Sequence, residues 1–444
     1  MVAPQLPDAG EVLPITERAG GGPDARIARF ADRQSQESPA VEAAARALLE
    51  DVRRRGDAAV RDATLRFDHR QLEGLEIPRA EWQRAAGRVA ADVRRALEHA
   101  HQRISDFHRA EAATLAGAAY TTDAGGVRCE LRVRPITRAG LFAPGGTARY
   151  PSSVLMTAVP AKVAGVAEVV MVTPGPSDEV LAAALVAGVD RVFGIGGAQA
   201  IGALAYGTES VPRVDKIVGP GNAYVAAAKR LVFGVVDIDQ VAGPSEVLIV
   251  ADDSAEPAWV AADLLAQAEH DTEAWAVLCT PSLALAQAVR AEVLRQLAVL
   301  PRRAIAEAAL SRHGEAVVVG SLDEAVAFAN AFAAEHLELA VADAEAVSRR
   351  ITAAGAIFLG HYTPEAAGDY LAGPNHVLPT GGSARFASPL GVHDFLKRTS
   401  VLCYSREALL AHADDIERLA TVEGLEAHGR TVAIRLGRPT PGGS

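Results

Sequence analysis

Between Pro135 and Val250 short β-branched runs alternate with alanine-rich stretches of helix length, and the alternation then begins again. Residues 168–173, 191–195, 216–218 and 246–250 read as one set of strands, and 275–279, 316–319, 337–341 and 356–359 as a second. Helices such as 257–270 and 282–296 fall between them. Strands separated by helices imply βαβ crossovers, so the pattern predicts two consecutive α/β units, each built on a parallel sheet. A ligand cleft is expected between them, because such sheets present loops and helix starts on one side. Upstream, Val41, Ala44, Ala45, Leu48, Leu49 and Val52 recur at helical spacing and a second such run spans 82–107, giving a helical lead-in. Residues 1–38, rich in Gly, Pro, Asp and Arg, read as an arm. After about Gly391 the character becomes that of a helical tail, with 406–428 as its main helix.

Charge and cysteine usage narrow the classes of function. With 44 Lys and Arg against 55 Asp and Glu, the net charge is −11, which leaves no global positive field for nucleic acid or anionic lipid. The longest apolar stretches, such as 181–189, stop short of the roughly 18 residues of a membrane helix. The start, MVAPQLPDAGEVLP, has neither a basic leader nor an apolar block, so a soluble, cytoplasmic protein is expected. Cys129, Cys279 and Cys403 are odd in number and far apart, which fits a reducing compartment and excludes a local thiolate zinc motif. Cys279, in an apolar run, and Cys403, between Leu402 and Tyr404, read as small buried hydrophobes. No G-x-S-x-G is present, which argues against a serine hydrolase.

Several clusters could carry chemistry. Gly-rich segments at 140–146, 194–199 and 219–222 border predicted strands, where bare backbone can approach a phosphate at a helix start. None completes G-x-G-x-x-G, and a tight βα turn explains any one of them. Gln267 and His270 stand three apart at a helix end and can face one ion, or be a surface pair. Glu335 and His336 precede a strand and can serve as base and water activator, or as a solvated helix end. Asp369 and Tyr370 open an irregular, Pro- and Gly-rich loop that continues through His376. Glu423 and His428 lie in the tail and also fit an ordinary amphipathic helix end.

Taken in order, Gly219-Pro-Gly-Asn222, Gly243-Pro-Ser-Glu246, the run 262–270, Glu335-His336-Leu337 and the run 373–382 resemble the histidinol dehydrogenase family, and 395–400 and 423–428 continue the match. The resemblance covers nearly the whole chain after about Pro39. It implies two incomplete Rossmann-like, aldehyde-dehydrogenase-like parallel-sheet domains with a helical lead-in and a C-terminal helical tail. The implied division is an arm at 1–38, a catalytic zinc domain from 39–141 plus 247–390, an NAD-binding domain at 142–246, and a tail at 391–444 that contributes to the partner subunit's site.

The activity implied is oxidation of L-histidinol through L-histidinaldehyde to L-histidine, with two NAD and one Zn²⁺ per subunit, in a homodimer with shared active sites. The family's zinc ligands fall on Gln267, His270, Asp369 and His428, and its catalytic pair on Glu335 and His336. Its substrate contacts fall on Ser245, Gln267, His270, His336, Asp369, Glu423 and His428. Its cofactor contacts fall on Phe142, Gln199 and Asn222; the first is commonly Tyr in the family, so this ring lacks a hydroxyl. Rival readings are a relative oxidising another primary alcohol such as a sulfonated diol, a metal hydrolase using Glu335, His336 and zinc on water, and an inactive binding scaffold.

Overall fold

The computed structural model describes residues 11–17, 30, 33, 38–115, 118–145 and 150–439. Most of the expected arm, Gly146 of the first Gly-rich segment and residues 440–444 lie outside the described residues. The chain divides into two compact units, one of Met1–Arg109 with Ile136–Phe395, the other of Ala110–Pro135 with Leu396–Ser444.

The first unit contains two parallel sheets, as expected, but Glu246–Ala251, read with the first set of strands, pairs within the second. Five strands lie in the order Arg191–Phe193, Glu168–Val172, Arg138–Phe142, Lys216–Val218, Asp237–Ile238, and every pairing is parallel. Six lie in the order Ile15–Glu17, Gly314–Val318, Trp275–Thr280, Glu246–Ala251, His336–Ala340, Ala356–Leu359, again all parallel. Their central strands are continuous apolar runs because helices cover both faces. Val169, Val170, Met171 and Val172 have no exposed surface, and each such side chain contributes roughly 1.5–3 kcal/mol by leaving water. One core lies on either face of each sheet: Trp82, Ile104 and Leu155 belong to one, Leu49, Phe193 and Ile201 to its opposite, and Leu264 and Phe328 mark the two faces of the larger sheet. Helix starts follow local chemistry. Ser177, Ser282 and Ser321 accept the N–H of Val180, Leu285 and Glu324, while Pro151 and Pro257 occupy the first turn, where no N–H is needed.

Apart from the edge strand Ile15–Glu17, strand order reverses once in each sheet, between Arg138–Phe142 and Lys216–Val218 in the smaller and between Glu246–Ala251 and His336–Ala340 in the larger. These two reversals frame the functional site described below.

The second unit holds a three-stranded antiparallel sheet, Leu396–Tyr404, Val127–Pro135 and Tyr120–Ala124, with helices Arg406–Val422 and Glu426–Leu436 packed on each other. Here the structure departs from the expectations. The single helix at 406–428 is two helices, parted at Gly424, whose φ of +70° ends the first. A nine-residue strand precedes them, and Cys403 on it is exposed, not buried, because neither face of this thin sheet is fully covered. In the first unit, the run at 82–107 also breaks: Val89 turns extended, at ψ 135°, between helix Arg79–Arg88 and helix Ala91–Leu115. Among the described residues no helix is long and apolar enough to cross a membrane.

Candidate functional site

A cavity of about 1760 Å³ opens in the first unit, and Phe142, Gln199, Asn222, Ser245, His270, Glu335, His336, Asp369 and His376 line it. The two sheets contribute opposite ends. Phe142 closes its strand, and Gln199 and Asn222 stand at helix starts after theirs, so the smaller sheet offers the carboxyl ends of its strands at the reversal, where ligands of open α/β sheets bind. Ser245 lies just before Glu246–Ala251, Glu335 just before His336–Ala340, and His270 just beyond the end of helix Pro257–Ala268. The larger sheet therefore offers the amino ends of its strands and the carboxyl end of a helix, which favours a cation.

His336 is buried with its Nδ1 3.1 Å from the carbonyl oxygen of Glu246. A carbonyl only accepts, so Nδ1 carries the proton and Nε2, which has no hydrogen-bond partner, is left as a base. Burial pushes this imidazole down to about 4 from its usual 6.5, against the opposing pull of Asp369. Glu335 Oε2 accepts the Glu246 N–H at 2.8 Å and lies 3.7 Å from His336 Nδ1. Burial raises the Glu335 carboxyl well above the usual range, and the charges of Glu246 and Asp369 add to the rise. His376 donates from Nδ1 to the Asp369 carbonyl at 3.1 Å, and its Nε2 stands 3.4 Å from Ser153 Oγ.

Ligating atoms of His270, Glu365 and Asp369 all lie within 4.8 Å of one another. Gln267, read from sequence as a possible surface residue, is fully buried, and neither amide atom has a partner. Two orphaned polar atoms in a dry interior are costly unless a ligand satisfies them. Glu365 Oε1 also lies 3.7 Å from His336 Nδ1, and burial followed by the charge of Asp369 raises its carboxyl well above the usual range. A divalent cation would relieve this crowding of acids. Sequence reasoning missed Glu365, and with it Glu338 and Asp263, which burial likewise raises, the latter to about 6. The available signal was Glu338, an acid inside the otherwise apolar strand His-Leu-Glu-Leu-Ala.

On the other wall, Gly219 has a φ of +113°, and a Cβ there would lie 2.3 Å from the Phe142 carbonyl oxygen, so only glycine fits. Its N–H donates to Asp239 Oδ2 at 2.7 Å and its carbonyl accepts from buried Lys229 at 3.0 Å, while Lys229 and Asp239 are paired. Asn222 caps the helix Ala223–Val232 by accepting from Tyr224 and Val225. Glu423 and His428 belong to the second unit, where both are exposed, the first at the end of Arg406–Val422 and the second on Glu426–Leu436.

A buried acid beside an imidazole base, next to a cluster of metal-ligating groups and facing the glycine turns of a parallel sheet, defines an α/β enzyme with two ligand regions in one cavity. The histidinol dehydrogenase family model matches residues 31–436. Similar relatives are the histidinol dehydrogenases of Syntrophotalea carbinolica, 54% identical over 89% of this chain and 93% of that protein, and of Dechloromonas aromatica, 52% identical over 88% and 91%. The crystal structure of histidinol dehydrogenase from Elizabethkingia anophelis superposes with a TM-score of 0.88 at 34% identity, covering 96% of this chain and 98% of that one. The chain belongs to the histidinol dehydrogenase family and is an oxidoreductase.

The neutral state of His336 has a direct check. In the metal-free protein its NMR titration, assigned by loss of the signal in His336→Ala, is expected to have its midpoint near pH 4, well below 6.5. The unfolded chain takes up that proton first, so this group lowers stability as pH falls from 6.5 toward about 4. A midpoint at 6.5 or above would contradict the burial argument.

Proposed function

We propose that the protein is a cytoplasmic homodimer that oxidises L-histidinol through L-histidinaldehyde to L-histidine, using two NAD and one zinc ion per subunit. The observation that carries this is the convergence of His270, Glu365 and Asp369 within 4.8 Å, on a cavity whose wall also holds Glu335 and His336. The names of the relatives support the substrate.

Gln267, His270 and Asp369 would hold zinc, with His428 contributed across the dimer; the unpartnered Gln267 amide and the crowded acids suit such an ion. When bound, zinc supplies a Lewis acid that makes an alcohol easier to deprotonate. Phe142, Gln199 and Asn222 line the region for NAD, where the N–H groups at the start of Gly197–Tyr206, which no side chain caps, suit a pyrophosphate. In this division residues 142–246 carry the cofactor positions, 39–141 with 247–390 carry the catalytic and zinc positions, and 391–444 complete the neighbour's site with Glu423 and His428. Ser245 adds a substrate hydroxyl contact.

His336 Nε2 accepts the proton of the substrate hydroxyl while hydride leaves its carbon for NAD. Glu335 then takes a proton from the water that adds to the aldehyde, and protonated His336 gives its proton to the aldehyde oxygen, so that a hydrate with a hydrogen on carbon forms and Nε2 is a base again. His336 serves this second alcohol as it served the first. In sum, one alcohol, two NAD⁺ and one water give one carboxylate, two NADH and three protons. No cysteine is required, in keeping with the burial of Cys279 in the strand Trp275–Thr280.

The test is stoichiometric. Supplied with L-histidinol, NAD and Zn²⁺, the enzyme should form two NADH per substrate consumed, and chelation should abolish the reaction. One equivalent would refute the four-electron course, and none would refute the dehydrogenase assignment.

A further inference from the structure

Glu246 opens its strand with a side chain that has no exposed surface. Its N–H donates to Glu335 Oε2 at 2.8 Å and its carbonyl accepts from His336 Nδ1 at 3.1 Å, so one residue's backbone brackets both members of the pair. The Glu246 side chain is itself held: Oε1 accepts from Arg33 Nε at 3.1 Å and from the Gly381 N–H at 2.7 Å. Arg33, only 3% exposed, also donates to the carbonyl of Phe332 at 2.5 Å, and its guanidinium lies 3.5 Å from the centre of that ring. Phe332 ends helix Leu322–Phe332, three residues before Glu335. Arg33 thus ties together the two backbone segments that carry the acid and its bracket. Nearby Phe30 packs on Trp275, Phe328 and Phe332.

We propose that Arg33 and Glu246 are a positioning pair for Glu335 and His336: their buried ion pair fixes the peptide that sets the imidazole's tautomer and the carboxylate's aim. The segment before the first helix then serves the reaction without touching substrate. This rests on the assignment of Glu335 and His336 as the catalytic pair. A plain packing role predicts something different, because loosening the arm would lower stability without changing which nitrogen of His336 carries the proton. Arg33 suits the task where Lys would not, since a planar fork can bond Glu246 and Phe332 at once and still lie on the ring.

Removing one charge would strand the other in the interior, so the variant of choice is Arg33→Met with Glu246→Met, which replaces a buried pair by apolar groups of similar volume and is often neutral for folding. It should stay folded and keep its zinc content, with a thermal midpoint lowered by the Gly381 N–H and Phe332 carbonyl that lose their partners, hold both KM values within about twofold, and lose kcat by about tenfold or more, as expected for displaced reacting groups. In parallel, the ¹⁵N imidazole shifts of His336 should change from the Nδ1–H tautomer of the parent to a mixture. Arg33→Lys, which keeps the charge and folds if the double variant does not, should lose kcat by a smaller factor and shift the tautomer part of the way. Unchanged kcat with an unchanged tautomer in a folded variant would overturn the proposal. If the parent itself forms no NADH from L-histidinol, the functional assignment fails, and the tautomer measurement alone then decides whether this pair orients His336.

Discussion

His336→Ala is expected to fold, to keep its zinc, and to lose NADH formation from L-histidinol by about 10²–10⁴-fold, the usual contribution of a positioned base. The side chain makes one hydrogen bond, to the Glu246 carbonyl, and faces an existing cavity, so its loss enlarges that space without breaking a packed layer. The strand it opens stays paired on both sides, to Glu246–Ala251 and Ala356–Leu359. Both oxidations should stop, since the first supplies the second. Mixing this variant with His428→Ala asks whether sites are shared. If His428 completes a neighbour's site, half the dimers are mixed and half their sites are intact, giving about a quarter of parental activity from two inactive parents. No recovery would place both residues in one chain's site; loss of zinc from His336→Ala would reassign that residue to the metal.

What the sequence made legible follows from burial. Runs such as Val169 to Val172 and Val247 to Ala251 lie inside covered sheets, so their composition alone marks them as strands. The antiparallel sheet of the second unit left no such mark: Arg128, Glu130, Arg132 and Arg134 alternate along Val127–Pro135, and every residue of Tyr120–Ala124 is exposed. The alternation of these charges with Val127, Cys129, Leu131 and Val133 is the period-two mark of a half-covered strand, which a search for continuous apolar runs passes over. At the site, chemistry was easier to read than placement. Glu335, His336, His270 and Asp369 stood out by type and by family resemblance, yet nothing in the chain shows that one sheet would present strand ends and the other strand beginnings to a single cavity. Spacing alone left Gln267 open between an ion ligand and a surface amide, because helical spacing gives a face, not the depth of what packs on it. Glu365 was invisible for a related reason: its importance comes from lying within 3.7 Å of His336, 29 residues away along the chain.

Glu335→Gln should separate the two oxidations. The amide oxygen of glutamine can accept the Glu246 N–H that Glu335 now accepts at 2.8 Å, so the geometry around His336 has reason to persist. The amide is also neutral. Since burial already disfavours the charged carboxylate, the substitution removes an unfavourable charge at neutral pH, and the thermal midpoint should hold or rise. What glutamine lacks is the capacity to take a proton from water. The first NADH should therefore form at close to the parental rate in a single turnover, while the second slows by about 10²-fold. Aldehyde should then build up and be caught by semicarbazide, whereas in the parent little should be caught, as expected where the aldehyde is consumed in the cavity that forms it. Equal slowing of both NADH equivalents would mean that Glu335 assists the alcohol step as well, most directly through its contact with His336. An unchanged second step would pass water activation to another buried acid, and Glu365, facing the same imidazole at the same 3.7 Å, is the residue to substitute next.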